Sequence, residues 1–171
     1  MPRVPPQDRL QPSLLDRLTD EDPSQKSEAP EHRVLSMEAL RQCVLRDLGW
    51  LFNTGDLDAI ENLKDYPLVA ESTLNYGIAH LAGTQKSSIE ARDIERRLRQ
   101  ALVRFEPRIL RDTVKVEFLV GEHGPSYNAI TCYIEGMLWA DPVPLHIFLK
   151  TEADLEMGTF AITEQAGREE N

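Results

Sequence analysis

The sequence predicts an α+β protein in which N-terminal helices pack on one face of a small antiparallel sheet formed by the C-terminal half. The first observation is a change of period: apolar residues recur with helical spacing before Pro107 and at every second position after it. The second is that the connections between the later segments are short, which favours antiparallel pairing. Helices followed by strands indicate a layer of helices covering one face of the sheet.

The longest helical pattern lies directly before Pro107. Its apolar residues form one stripe along a helix, and they are Ile94, Leu98, Ala101, Leu102 and Phe105. Ser87 and Glu90 have the spacing of a capping box, so the helix is predicted to begin there. Pro107 ends it, because the proline ring and the missing N–H cannot continue the hydrogen-bond ladder.

Three segments precede this helix. Residues 36–52 predict a helix with an apolar stripe, and Asn53-Thr54-Gly55 supplies its stop. Residues 56–66 predict one or two loose turns, and residues 68–81 predict a short packed segment punctuated by glycines.

Four strands are predicted after Pro107. The first three cover residues 113–120, 130–139 and 145–149, and the last is a short strand around Phe160 and Ile162. A turn is expected at residues 121–125 and another at 154–158. The last strand is short and polar at its end, so it predicts a sheet edge that is left for pairing.

Composition divides the chain into an arm, a domain and a tail. Residues 1–35 hold six of the eleven prolines and little apolar content, which predicts a flexible N-terminal arm. Residues 36–163 are expected to form a single α+β domain, and residues 164–171 an acidic tail. Within the arm, Leu14, Leu15 and Leu18 lie on one side of a single helical turn. That turn either docks on its own domain or anchors a neighbouring protein.

Charge and cysteine content narrow the class of protein. The net charge of −10 argues against a general binder of nucleic acid or of an anionic membrane. Residues 92–111 carry a local charge of +4, either as a solvated helix face or as a protein-binding surface. Cys43 and Cys132 are expected to be buried thiols in a reducing compartment. With no apolar signal segment and no membrane-length apolar run, we expect a cytoplasmic protein without direct membrane insertion.

No catalytic, cofactor or metal motif stands out. The four histidines are scattered without a second ligand at metal-binding spacing, and there is no phosphate loop or nucleophile elbow. A carboxylate pair such as Glu106 and Glu117 has the chemistry for glycoside hydrolysis, but among 29 acidic residues such a pair is unspecific. We therefore expect a protein that is not an enzyme, with no cofactor and no metal.

Glu106 is the unusual residue. A carboxylate at a helix C-terminus opposes the helix dipole and needs a cation to offset that cost. Arg108 or Arg104 can supply it, in which case Glu106 is an internal clamp at the helix-to-strand corner. Alternatively, Glu106 presents its charge to a basic segment of another protein.

Five stretches in the right order resemble TssE, the family of small baseplate subunits of bacterial type VI secretion, itself similar to phage tail baseplate wedge proteins once labelled "lysozyme-like". The most specific is Phe105-Glu106-Pro107-Arg108-Ile109 at the end of an Arg-rich helix. The N-terminal stretch is Leu14-Leu15-Asp16-Arg17-Leu18, and the stretch in the first long helix is Arg46-Asp47-Leu48 with Leu51, Asn53 and Thr54. The central stretch is Tyr66-Pro67 with Ser72, Asn75-Tyr76-Gly77 and Leu81-Ala82-Gly83. The stretch in the second strand is Ile134-Glu135-Gly136 with Leu138-Trp139. One departure is Gly55, where the family pattern has Arg.

The resemblance implies a structural, non-enzymatic role. The subunit would sit in a wedge of a cytoplasmic baseplate docked at the inner membrane, contact TssF and TssG near TssK, and help initiate the contractile sheath of TssB and TssC. It implies partner binding by Glu106, Pro107 and Arg108, and by Leu14, Leu15, Arg17 and Leu18. Glu106→Ala is expected to leave the domain folded and to weaken sheath attachment.

Two rival functions remain. One is a carboxylate-based lysozyme-like glycosidase, which the absence of an export signal disfavours. The other is a regulatory binding module of similar fold with an unrelated partner.

Overall fold

A computed structural model describes residues 13–19, 36–79, 91–119, 129–140 and 143–165. Its α-helices are α1 (Leu14–Leu18), α2 (Met37–Phe52), α3 (Pro67–Ala70) and α4 (Ala91–Phe105). Short 3₁₀ turns lie at Leu57–Ala59, Thr73–Asn75 and Arg111–Thr113. The strands are β1 (Lys115–Leu119), β2 (Ala129–Leu138), β3 (Leu145–Asp154) and β4 (Thr159–Glu164).

The four strands form one antiparallel sheet in the order β1-β2-β3-β4. Helices in the first half and an antiparallel sheet in the second confirm the predicted α+β class. β3 continues to Asp154, beyond the predicted end at residue 149. The extension was missed because its inward-facing residues are Thr151 and Ala153, which are small but only 0% and 4% exposed.

The core lies between the helices and one face of the sheet. Alternate residues of each strand point into it, as the period of two requires. α2 and α4 contribute their apolar stripes from the other side. The largest fully buried side chains are Phe52, Leu48, Leu51, Leu98, Leu102, Ile109, Ile134, Leu138 and Leu149.

Helix side chains bind the backbone of both outer strands. On β1, the Glu95 carboxylate accepts a hydrogen bond from the Phe118 N–H at 2.9 Å. On β4, Asn53 donates through Nδ2 to the Phe160 carbonyl (3.0 Å) and accepts the Phe160 N–H (2.8 Å). These contacts fasten the helices to the two sheet edges, and β4 is the edge strand that the sequence predicted.

The end of α2 is joined to a later segment through a glycine. The Ile78 N–H donates to the Thr54 carbonyl at 2.9 Å, and Gly55 and Ile78 form a β-bridge. Gly77 has φ +126°, and a Cβ there would lie 2.4 Å from the Thr54 carbonyl oxygen. Only glycine fits at position 77, because a side chain there would clash with the backbone just after α2.

The segment predicted to pack between residues 68 and 81 does so only in part. Ile78 is buried and Tyr76 packs against the core. Leu68 and Leu74, in contrast, are 84% and 71% exposed. The helical turns here are too short to bury one side of each turn, so the apolar pattern overstated the packing.

Several predictions lie outside the described residues. They are the capping box of Ser87 and Glu90, the turn at 121–125, the tail beyond residue 165 and most of the arm. The domain boundaries at residues 35 and 163 stay predictions. No helix among the described residues combines the length and apolar character needed to cross a bilayer.

Candidate functional site

The site is the corner at which α4 turns into the sheet. The Glu106 N–H still donates to the Leu102 carbonyl at 2.9 Å, as in a helix, and Pro107 stops this ladder. The chain then joins β2: the Trp139 N–H donates to the Arg108 carbonyl at 2.7 Å, and the Leu110 N–H donates to the Met137 carbonyl at 2.8 Å. The predicted turn from helix to sheet is thus present, and it is fixed to the second strand.

Gly136 of β2 makes room for this corner. A Cβ at Gly136 would lie 2.9 Å from Cγ2 of Ile109, which is itself only 2% exposed. Because the Ile109 side chain cannot move into solvent, the close approach requires glycine.

The Glu106 carboxylate is held inside the protein. It is only 3% exposed, and Arg108 donates to it through Nε (2.7 Å), Nη2 (2.5 Å) and the backbone N–H (3.1 Å). This is the geometry of the internal clamp. The expectation that Glu106 presents an exposed carboxylate to a basic segment is wrong, because Arg108 folds back over it and closes it from water.

The ion pairs continue from the corner to the N-terminal helix. Arg108 Nη2 also binds Asp47 Oδ2 at 2.6 Å, and Arg46 binds Asp47 Oδ1 through Nε (2.9 Å) and Nη2 (2.8 Å). Arg46 Nη1 then binds Asp16 Oδ1 at 2.5 Å. We call these five residues, Asp16, Arg46, Asp47, Arg108 and Glu106, the corner network. Its charges alternate in sign along the chain of contacts, so each arginine lies between two carboxylates.

The network shifts the pKa values of Asp16, Arg46 and Arg108. Burial acts to raise the pKa of Asp16, but hydrogen bonds from Arg46 and Ser13 outweigh burial and lower the pKa to about 2. Burial acts to lower the pKa of Arg108, yet its bonds to Glu106 and Asp47 raise it further above its ordinary value. Asp16 and Arg108 are therefore both charged at neutral pH.

α1 is docked through its polar side and exposes its leucines. Asp16 ties it to α2, and Ser13 caps it by accepting the Asp16 N–H. Leu14, Leu15 and Leu18 are 72%, 46% and 74% exposed. The turn is therefore fixed to its own domain through Asp16 while its leucines stay exposed, and the anchoring of a neighbouring protein stays a prediction. The side chain of Arg17 lies outside the described residues.

Asp16 is the site residue that sequence reasoning missed. It stood inside the Leu14–Leu18 motif, but no spacing rule connects it to Arg46, thirty positions away. Cys43 also lies beside it: burial and a hydrogen bond to Asp16 raise the pKa of the Cys43 thiol. Cys132 is buried, as expected, whereas Cys43 is only half-buried, and both are free thiols among the described residues.

The central motif reaches the same place. Tyr76 packs edge-on against Phe105, with ring centroids 5.2 Å apart. Burial raises the pKa of Tyr76, and the nearby charges of Asp47 and Glu106 add to the effect. All five motifs behind the family resemblance thus contribute at least one residue to the corner. Leu81-Ala82-Gly83 lies outside the described residues.

The basic stretch of residues 92–111 is largely bound within the molecule. Arg96 and Arg97 both bind Asp93. Arg99 donates to the Val114 carbonyl at 3.3 Å, and Arg104 donates to the Ala70 carbonyl at 2.6 Å. With Arg108 in the corner network, five of the seven arginines stabilise this fold directly.

The carboxylate pair considered for glycoside hydrolysis is not brought together. Val116 and Phe118 face the core, so Glu117 between them faces the opposite side of the sheet. Glu106 is closed off on the helix side. No cluster of three His, Cys, Asp or Glu suited to a metal ion occurs among the described residues.

The fold and the corner together define a small α+β domain whose buried charges are paired with one another and hold its elements in place. Residues 38–143 match the family described as baseplate wedge protein gp25, and the chain belongs to that family. The family is a structural component of phage-tail-like baseplates. Comparison with curated proteins and with solved structures gives no match.

Proposed function

We propose that this chain is the TssE subunit of a type VI secretion baseplate in the bacterial cytoplasm, docked at the inner face of the inner membrane. It joins a wedge with TssF and TssG, near TssK, and helps initiate the contractile sheath of TssB and TssC. The observation that carries the proposal is the convergence of all five motifs on one corner. Motifs that meet in space form one feature, which is a stronger sign of a shared role than five separate matches.

In this proposal, some residues of the corner contact the partner, and others hold the contacting residues in place. Pro107 is exposed and Arg108 is half-buried, so these two residues make the contact at the corner itself. Glu106 acts through them, because it fixes the direction of the Arg108 guanidinium. Leu14, Leu15 and Leu18 supply the apolar part, held in place by the Asp16–Arg46 ion pair. Arg17 is included in the proposed surface because of its place in the sequence between Leu15 and Leu18.

The edge strand β4 is the proposed place for the first sheath subunit. An extended segment that adds to a sheet edge gains backbone hydrogen bonds, and side-chain pockets then set its specificity. β4 lies at the end of the sheet order, and Ile162 in its middle packs partly on the core. Asn53 already binds the Phe160 backbone, so the added segment is proposed to pair beyond Phe160.

The test is sheath assembly in the bacterium that encodes the chain. Deleting its gene should abolish the foci formed by fluorescent TssB, and the wild-type gene should restore them. Leu14→Ser/Leu18→Ser should fold normally and reduce the number of foci by about tenfold, since exposed apolar anchors dominate binding. The matched control Val143→Ser, also at an exposed position, should restore foci fully. Normal foci in the deletion strain would overturn the proposal.

A further inference from the structure

The segment of residues 57–75, which we call the shoulder, exposes an unusual amount of apolar surface. Ile60, Tyr66, Leu68 and Leu74 are 79%, 62%, 84% and 71% exposed. Single exposed apolar side chains are ordinary, but four within so short a stretch indicate a surface that is covered in the working state.

The shoulder is an ordered structure. Asn75 is only 7% exposed; its Nδ2 donates to the Ala70 carbonyl at 3.0 Å, and its Oδ1 accepts the Asp58 N–H at 2.9 Å. Leu63 is buried beneath it. Arg104 of α4 donates to the same Ala70 carbonyl at 2.6 Å. Because these bonds fix the shoulder to α4, the domain holds its apolar side chains out at small entropic cost.

The shoulder is also acidic. Its carboxylates are Asp58, Glu61, Asp65 and Glu71, and with Lys64 as its single base the net charge is −4 + 1 = −3. All four carboxylates are exposed, and none forms an ion pair within the described residues. A binding partner can neutralise these charges without breaking an ion pair between described residues.

Charge identifies the chemistry of the occupant. Nucleic acid and anionic lipid are repelled by this surface. The four carboxylates do not form a metal cluster among the described residues. The arginines of residues 92–111 are a poor match, because five of these seven already have partners within the fold.

We propose that the shoulder, which is a surface separate from the corner, binds a cationic, partly apolar segment of a neighbouring baseplate subunit. The segment's apolar side chains cover Leu68 and Leu74, and its Lys or Arg side chains meet Asp58, Glu61, Asp65 and Glu71. Apolar contact supplies the affinity, and the charges set orientation and partner choice. The inference rests on the proposed function, since it takes the partner from the baseplate.

The experiment measures binding of the full chain to purified TssF–TssG from the same bacterium. Leu68→Ser/Leu74→Ser should weaken binding by about tenfold or more, since these are the most exposed apolar anchors. The control Val143→Ser/Met157→Ser changes two residues of similar exposure elsewhere and should change binding less than about twofold. Neutralising Asp58, Glu61, Asp65 and Glu71 to their amides should weaken binding and remove most of its dependence on salt.

A photocrosslinking residue at position 68 identifies the occupant directly. The expected product joins the shoulder to a Lys- or Arg-rich segment of TssF or TssG. If wild-type protein binds while both shoulder variants bind equally well, the shoulder inference is overturned and the proposed function stands. If wild-type protein does not bind, the proposed function fails and the inference falls with it. A crosslink to a second copy of the chain overturns the inference as well.

Discussion

At the residue scale, the corner depends on one buried carboxylate. Glu106 opposes the dipole of α4, a cost that a surface cation offsets only weakly. Arg108 offsets it by a bidentate pair, the arrangement for which a planar guanidinium is suited. Pro107 holds the two residues at the distance that this pair requires. The unfavourable interaction between the Glu106 charge and the helix dipole is thus offset by Arg108 of the same chain.

The clamp predicts a stability loss in Glu106→Ala. The change leaves Arg108 half-buried with Asp47 alone, so the free energy of unfolding should fall by about 3 kcal/mol, at the low end for breaking a buried pair. Glu106→Gln keeps the shape and an acceptor, so its loss should be smaller. Urea unfolding midpoints measure both, with the exposed Glu61→Ala as a control expected to be neutral. If the urea midpoint of Glu106→Ala equals that of the wild type, the clamp contributes no stability.

Two glycines give a matched test of packing. Gly136→Ala should destabilise the domain by about 1–3 kcal/mol, because its Cβ would press on buried Ile109. Gly49→Ala in α2 meets nothing within 4 Å and should stabilise by up to about 1 kcal/mol through helix propensity. Thermal melting of both variants is the measurement. Equal melting temperatures would contradict the close approach at Gly136.

At the element scale, single polar side chains decide how the pieces are joined. Asp16 fastens α1 to α2, and Asn53 fastens α2 to β4. The attachment of α1 uses little apolar surface, because its leucines are exposed, so it depends on a few hydrogen bonds. The attachment of β4 also includes apolar contact, since the buried rings of Phe52 and Phe160 lie 5.9 Å apart. An element held like α1 can be released by a single substitution.

The attachment of α1 should depend on pH. The pKa of Asp16 is about 2 in the folded protein against an ordinary 3.8. A lowered pKa means that Asp16 stabilises the fold fully above pH 3.8 and loses this effect as the pH falls towards 2. The difference in urea midpoint between wild type and Asp16→Ala should therefore shrink over that range. For Leu18→Ser, which carries no titrating change, the difference should stay constant.

The attachment of β4 should depend on Asn53. Asn53→Ala removes both bonds to the Phe160 backbone and should cost about 2 kcal/mol. The adjacent Thr54→Ala removes only a bond to Trp50 within α2. Amide hydrogen exchange at Phe160 should speed up in the first variant alone. Faster exchange in both variants would assign the effect to fraying of α2.

At the scale of the whole molecule, the corner network joins three separate parts of the chain. α1, α2 and the corner each supply charges: the Arg46–Asp16 pair joins α1 to α2, and the Arg108–Asp47 pair joins the corner to α2. Such a network favours one arrangement of the parts over others.

The network should couple its two ends. Asp16 and Glu106 do not touch, but Arg46, Asp47 and Arg108 connect them. A double-mutant cycle of Asp16→Ala and Glu106→Gln should give a coupling energy of about 0.5 kcal/mol or more. The same cycle with Asn53→Ala in place of Glu106→Gln should be additive. Additivity in both cycles would show that the ion pairs act independently.

Much of the architecture was predictable from local patterns. The change of period at Pro107, the helix over 36–52 and the alternation in the strands follow from local spacing, so the α+β class and the sheet order needed no distant contacts. The end of β3 was missed, because Thr151 and Ala153 are buried without being large. Burial of small residues is set by neighbours, which local spacing does not reveal.

The sequence by itself determined the period of each element, the stop at Pro107 and the family resemblance carried by its motifs. It left Glu106 open between clamp and exposed contact, because both uses need the same residues at the same spacing. Only the tertiary structure decided this, by placing Asp47 beside Arg108 and closing the carboxylate to 3% exposure. Spacing fixes which face of an element a side chain lies on, whereas its access to water depends on which distant elements pack against that face.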